Sequence, residues 1–157
     1  MLTIRKGDIF QSHADALVNP VNCVGVMGKG LALEFKKRYP YMFRYYGYCC
    51  KCGRMKIGTP LYVLDDDVNM HCGKRLIVLF PTKNHWREKS QLSYIEECLN
   101  ELVATYKYRN AYNRPYYSSI AFPALGCGLG GLDWHDVVSI MVRKLVDLQA
   151  DVEIYEP

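Results

Sequence analysis

The sequence predicts an α/β protein with three layers, α/β/α, around a mixed, mostly parallel central sheet. Three observations carry this. Short apolar stretches of strand length alternate with segments of helical periodicity through most of the chain. One of them, Arg75 to Phe80, is almost continuously apolar, as a strand covered on both faces must be. Two glycine-rich loops, residues 25–30 and 126–131, each follow an apolar strand pattern and precede a helical one.

Leu2 to Arg5 alternates apolar and polar residues and reads as a first strand, ended by Gly7-Asp8. Asp15 to Asn19 is apolar enough to be central in the sheet. After Asn19-Pro20-Val21-Asn22 comes the first glycine loop, then a helix with Leu31, Leu33, Phe35 and Tyr39 that Pro40 stops. A second helix is expected over Tyr41 to Cys50. Its aromatic residues Phe43, Tyr45, Tyr46 and Tyr48 are expected in the core, because aromatics bury so much area.

Gly53 and Gly58-Thr59-Pro60 mark turns, and Leu61 to Leu64 is a strand. Asp65-Asp66-Asp67-Val68-Asn69 lacks the spacing of a calcium loop and reads as a solvated hairpin turn. After the Arg75–Phe80 strand, Pro81 to Arg87 is a loop. Ser90 is the expected N-cap of a helix carrying Leu92, Ile95, Leu99, Leu102, Val103 and Tyr106. Asn110 to Pro115 is a linker and Ser118 to Phe122 a buried strand. Pro123-Ala124-Leu125 leads into the second glycine loop. Asp133 caps a last helix with Val137, Ile140, Met141, Leu145 and Leu148, and Val152 to Tyr155 is the final strand.

The 157 residues and their 50% hydrophobic content suit a single domain over 1–157. The apolar runs are too short to span a bilayer, and residues 1–6 lack a signal-peptide core, so a cytoplasmic location with no membrane partner is expected. A net charge of +4 permits a polyanionic partner without requiring one. Seven cysteines, an odd number, favour free thiols over a disulfide framework. Cys49, Cys50 and Cys52 with His71 and Cys72 could suggest zinc. Their C-C-x-C and His-Cys spacings fit no recognised pattern, so no metal is expected.

Glycine admits positive φ and close backbone approach, and a helix start presents free N–H groups and a positive dipole end. Each glycine loop is therefore either a phosphate cradle or an ordinary strand-to-helix connection that needs glycine for tight packing. In open α/β sheets ligands bind at the carboxyl ends of the strands. Residues 19–30, 81–87 and 123–131 would meet there, and two such loops suit a diphosphate.

From Gly7-Asp8-Ile9 through Ala16-Leu17-Val18-Asn19 and both loops to Tyr155-Glu156-Pro157, the chain resembles the macrodomains. The segments Val26-Met27-Gly28-Lys29-Gly30-Leu31-Ala32, Phe80-Pro81-Thr82-Lys83-Asn84-His85-Trp86 and Gly126-Cys127-Gly128-Leu129-Gly130-Gly131-Leu132-Asp133-Trp134 are most similar to the DarG antitoxins. These are DNA ADP-ribosyl glycohydrolases related to the terminal ADP-ribose glycohydrolase branch. The resemblance implies ADP-ribose as ligand, with no cofactor. Asp8 would accept from the adenine amine and Ile9 would hold the ring. Val26, Met27, Gly28, Lys29, Gly30, Pro123, Leu125, Gly126, Cys127, Gly128, Leu129 and Gly130 would clamp the diphosphate, Thr82 would join the binding set, and Asn22 would sit near the distal ribose.

Lys83 would be catalytic. An amine of lowered pKa can attack C1″ or the opened aldehyde, and a charged one can act electrostatically. The human-type branch has an aspartate where this chain has Gly130, which argues against a Lys/Asp pair and fits the DarG pattern. Asp133 reads as a cap, and His85 is a second acid–base candidate.

The implied function is removal of ADP-ribose from nucleic acid, foremost thymidine in DNA, against a cognate DarT-like toxin, by a monomer. Lys36, Lys37, Arg38, Arg44, Lys51, Arg54, Arg87 and Lys89 could contact phosphates or simply be solvated. The alternatives are a non-catalytic reader of ADP-ribose, and a hydrolase of ADP-ribosylated protein or of ADP-ribose 1″-phosphate.

Overall fold

A computed structural model describes residues 1–70 and 73–157. Six strands form one sheet: β1 (Leu2–Arg5), β2 (Ala16–Asn22), β3 (Leu61–Asp66), β4 (Lys74–Lys83), β5 (Ser119–Phe122) and β6 (Asp151–Tyr155). Their order is β1-β6-β5-β2-β4-β3. All neighbours pair in parallel except β3, which pairs antiparallel with β4 at the edge. Helices α1 (Gly30–Arg38) and α2 (Pro40–Lys51) cover one face, and α3 (Leu92–Ala111) and α4 (Trp134–Leu145) the other. This is the expected mixed, mostly parallel three-layer architecture.

The two-residue period of the strands divides the core. Ala16 and Val18 of β2, Val78 and Phe80 of β4, Ile120 and Phe122 of β5, and Val152 and Ile154 of β6 pack beneath α3 and α4. Leu17, Val21, Ile77, Leu79, Ala121 and Tyr155 point the other way, to Phe35, Met42 and Tyr46 of α1 and α2. Each fully buried Leu, Ile or Phe stabilises the fold by about 1.5–3 kcal/mol.

Two strands run further than expected. β2 continues through Pro20 to Asn22, and β4 continues through Pro81 to Lys83. Proline usually marks a strand end because it cannot donate to the ladder. Here β2 pairs with β5 only at Ala16 and Leu17, so beyond Leu17 one side of it is an edge and tolerates Pro20. The β2–β4 register then shifts. Val21 lies opposite Pro81 but Asn22 lies opposite Lys83, with Thr82 as the extra residue. Such bulges re-aim side chains. Lys83 is thus the end of a rigid strand rather than part of a free loop.

Other expectations are corrected. Asp65 and Asp67 are buried rather than solvated. Asp65 accepts from the Met42 N–H (2.8 Å), in the first turn of α2 where a carboxylate is favoured. Asp67 pairs with Arg38 at 3.3 Å. Ser90 does not cap α3; the cap position is Gln91, whose side chain donates to the Tyr94 hydroxyl rather than capping the helix backbone, and Ser90 is buried against the second glycine loop. The α2 aromatic stripe divides: Tyr46 is core, Phe43 and Tyr45 are half-buried, and Tyr48 is exposed. Asp133 caps α4 as expected, accepting from His135 and Asp136 N–H groups. Among the described residues, no helix is long and apolar enough to cross a membrane.

Candidate active site

Five parallel strands end at the same edge of the sheet, and a cavity of about 890 Å³ opens there. It brings together most of the residues singled out in the sequence: Asp8, Ile9, Asn22, Val26, Gly28, Lys29, Gly30, Thr82, Lys83, Pro123, Gly126, Gly128, Leu129 and Gly130 all line it. Met27, Leu125 and Cys127 do not. Met27 and Leu125 are buried in the two cores, Met27 within 3.8 Å of the Asn19 amide, where they support the loops from behind. Cys127 packs half-buried against the α3–α4 core.

The first glycine loop hangs on Asn22. Its Nδ2 donates to the Val26 carbonyl (2.7 Å), and its Oδ1 accepts from the Val24 and Val26 N–H groups (3.1 and 3.4 Å). The Tyr46 hydroxyl lies 2.7 Å from Oδ1 and 2.8 Å from the Asn22 carbonyl oxygen, and burial keeps that phenol protonated as a donor. Asn22 is thus committed to shaping the loop. Gly25, at φ 84°, makes a turn that a side chain would strain. The loop delivers α1 with Lys29 at its cap position and no side-chain cap, so the first N–H groups of the helix are left for an anion at the cavity wall.

The second loop is built by packing. The Ser90 N–H donates to the Gly130 carbonyl, Leu132 N–H to Gly126, and Gly131 N–H to Gly128. A Cβ at Gly130 would overlap the Gly126 carbonyl oxygen and the Ser90 hydroxyl. That is the physical reason no aspartate can stand there while the loop keeps this shape. This loop does not lend a helix start, because the Asp133 carboxylate already occupies N–H groups of α4. Any anion contact it makes must come from its own backbone.

Lys83 joins the two loops. It sits opposite Asn22 across the strand pair, and its Nζ donates to the Leu129 carbonyl at 3.2 Å. Burial lowers its pKa, which raises the neutral fraction of the amine. Asp8 uses one carboxylate oxygen to cap the short helix at Ile9–Gln11 through the Phe10 N–H (2.9 Å).

His85 does not line the cavity. Its Nδ1 accepts from the Arg87 N–H (3.1 Å), so it braces the following turn. Among the basic residues offered for phosphates, only Arg87 lines the cavity. Arg38 is tied to Asp67 and stacks on Phe10, Lys37 pairs with Glu34, and Lys36, Arg44 and Arg54 stack on Phe43, Tyr41 and Tyr45. Trp86, given no role from the sequence, does line it; it stands three residues after the bulged end of β4, an end that Pro81 hid in the sequence.

His71 and Cys72 of the suggested zinc cluster lie outside the described residues. Among the described residues, no group of three His, Cys, Asp or Glu side chains could hold a metal. Cys23, Cys49, Cys50, Cys52, Cys98 and Cys127 are free thiols.

Comparison with known proteins agrees with this geometry. The chain is 44% identical over 158 residues to a Mycobacterium tuberculosis protein named DNA ADP-ribosyl glycohydrolase. The match covers 100% of this chain but only 42% of that protein, so this chain spans less than half the length of the relative. The solved macrodomain of M. tuberculosis DarG superposes with a TM-score of 0.87 at 44% identity, covering 100% of this chain and 98% of that one. Thermosipho africanus DarTG in complex with ADP-ribose superposes at 0.86 with 37% identity, over 99% of this chain and 41% of that one. The Macro domain family matches residues 18–141, which include most of β2, both glycine loops and Lys83. With sheet order, loops and full-length likeness in agreement, the chain belongs to the Macro domain family.

Proposed function

We propose that this chain is an ADP-ribosyl glycohydrolase that removes ADP-ribose from a modified base in DNA, thymidine foremost, and so reverses a DarT-like ADP-ribosyltransferase. It would work as a cytoplasmic monomer and without a cofactor. Relatives that match its whole length carry the name DNA ADP-ribosyl glycohydrolase, and a DarTG fusion homologue is known with ADP-ribose. The observation that carries the reading is Lys83. A half-buried amine of lowered pKa is fixed at a rigid strand end and faces the cavity between two glycine loops. A module that only bound ADP-ribose would have no evident use for it.

In this reading Asp8 and Ile9 hold the adenine, and the start of α1 and both loops hold the diphosphate. Asn22 keeps the first loop in shape beside the distal ribose. Neutral Lys83 attacks C1″ while the C1″–N bond to the base breaks. The departing base nitrogen gains a proton and the amine loses one. Water then adds at C1″ and expels the lysine, which releases ADP-ribose.

The test is single-turnover release of ADP-ribose from an ADP-ribosylated oligonucleotide. Lys83→Ala is expected to lose at least about a hundredfold in rate while still binding ADP-ribose. Lys83→Arg keeps a positive charge but cannot supply a neutral amine, and is expected to be as inactive as Lys83→Ala. Full activity in either variant would remove the mechanism.

A further inference from the structure

We infer that Trp86, held beside Lys83 by His85 and Arg87, is the stacking surface for the nucleobase that carries the ADP-ribose. The inference rests on the proposed function and identifies the part of the site that recognises the base.

Trp86 lines the cavity three residues after Lys83, yet 47% of its surface is exposed. The indole is not loose. The Arg87 guanidinium lies 4.7 Å from its ring centroid, and the His85 ring centre lies 5.1 Å away at a 32° tilt. The Arg87 N–H in turn donates to His85 Nδ1 at 3.1 Å, which closes a small brace around the tryptophan. A ring fixed before binding loses little freedom when a ligand stacks on it. Other exposed aromatics, such as Tyr41 and Tyr48 on α2 and Tyr108 on α3, do not line the cavity.

The chemistry requires such a surface. The bond to be broken joins the distal ribose to a base nitrogen, so the base must lie where Lys83 can reach C1″, at the cavity mouth. A base stacked inside a duplex cannot reach that depth; it must come from a single strand or be turned out of the helix. It then lacks its stacking neighbours. An aromatic ring replaces them whatever the base, because every base has a π face. Arg87, exposed beside the ring, is placed to meet the backbone phosphate of the same strand.

The experiment compares the wild-type chain with Trp86→Ala and Trp86→Phe on a single-stranded oligonucleotide bearing one ADP-ribosylated base. Trp86→Ala is expected to raise KM about tenfold, with the loss falling on KM rather than kcat, and Trp86→Phe to recover most of it. Affinity for free ADP-ribose should be kept.

A second readout uses Lys83→Ala, which holds the substrate uncleaved, combined with Trp134→Phe, which leaves Trp86 as the one tryptophan. Its fluorescence should be quenched by the modified oligonucleotide and not by ADP-ribose alone. An unchanged KM in Trp86→Ala, or an equal loss of free ADP-ribose affinity, overturns the stacking role and leaves the glycohydrolase reading standing. No turnover of the oligonucleotide by the wild-type chain overturns the glycohydrolase reading, and the stacking role with it.

Discussion

The two glycine loops on either side of Lys83 look alike in sequence and are built in opposite ways. The first is suspended from one polar side chain: Asn22 fixes Val24, Val26 and Tyr46 and leaves the start of α1 uncapped toward the cavity. The second is a backbone wedge. Its shape depends on the absence of a Cβ at Gly130, and the helix after it is closed by its own aspartate. In the first loop glycine provides conformation and access; in the second it provides room. Only the first therefore presents a helix dipole to an anion, whereas the second presents N–H groups and the Leu129 carbonyl that holds Lys83.

The difference can be broken from either side. The largest effect is expected from Gly130→Ala. The added methyl overlaps the Gly126 carbonyl and Ser90, which costs about 1–3 kcal/mol of stability and displaces Leu129 from Lys83. Chemical denaturation should show the loss, and release of ADP-ribose should fall even where the protein remains folded. Asn22→Ala removes the shared partner of two N–H groups, a carbonyl and the Tyr46 hydroxyl. It is expected to destabilise by about 1–3 kcal/mol and to weaken ADP-ribose binding in calorimetry.

Asp133→Ala sharpens the contrast because it should separate stability from binding. Loss of the α4 cap costs about 1 kcal/mol in unfolding. ADP-ribose affinity should stay unchanged, since that helix start is not offered to the ligand. A gain or loss of affinity would show that α4 contributes its dipole after all.

Most of the fold was legible because its strands are apolar at strand length and its helices periodic. Most element ends agreed within a residue or two where no proline intervened, although α4 stops at Leu145 and leaves the expected helical Leu148 in the turn that follows. Pro20 and Pro81 hid the true ends of β2 and β4, because proline stops a strand only where a ladder donor is needed. Those hidden ends matter most for the site, since the register shift at Asn22 and Lys83 lies in them.

The buried acids at 65 and 67 were misread because their partners, the Met42 N–H and Arg38, lie more than twenty residues earlier in the chain. The residues meeting at the cavity were largely legible from the loops that carry them. What could not be read was how each acts. Nothing local in the sequence reveals that Asn22 is spent on its own loop, that Ser90 wedges against Gly130, or that His85 and Arg87 hold Trp86 in place.

The central claim is that neutral Lys83 performs the cleavage. It is tested most directly by the pH dependence of single-turnover ADP-ribose release from modified DNA. Burial lowers the pKa of Lys83, so the amine loses its proton at lower pH than an exposed lysine. The rate should therefore rise with pH through that lowered pKa and level off once the amine is neutral. A rate that falls with pH over the same range would mean the charged form acts, and would contradict the account.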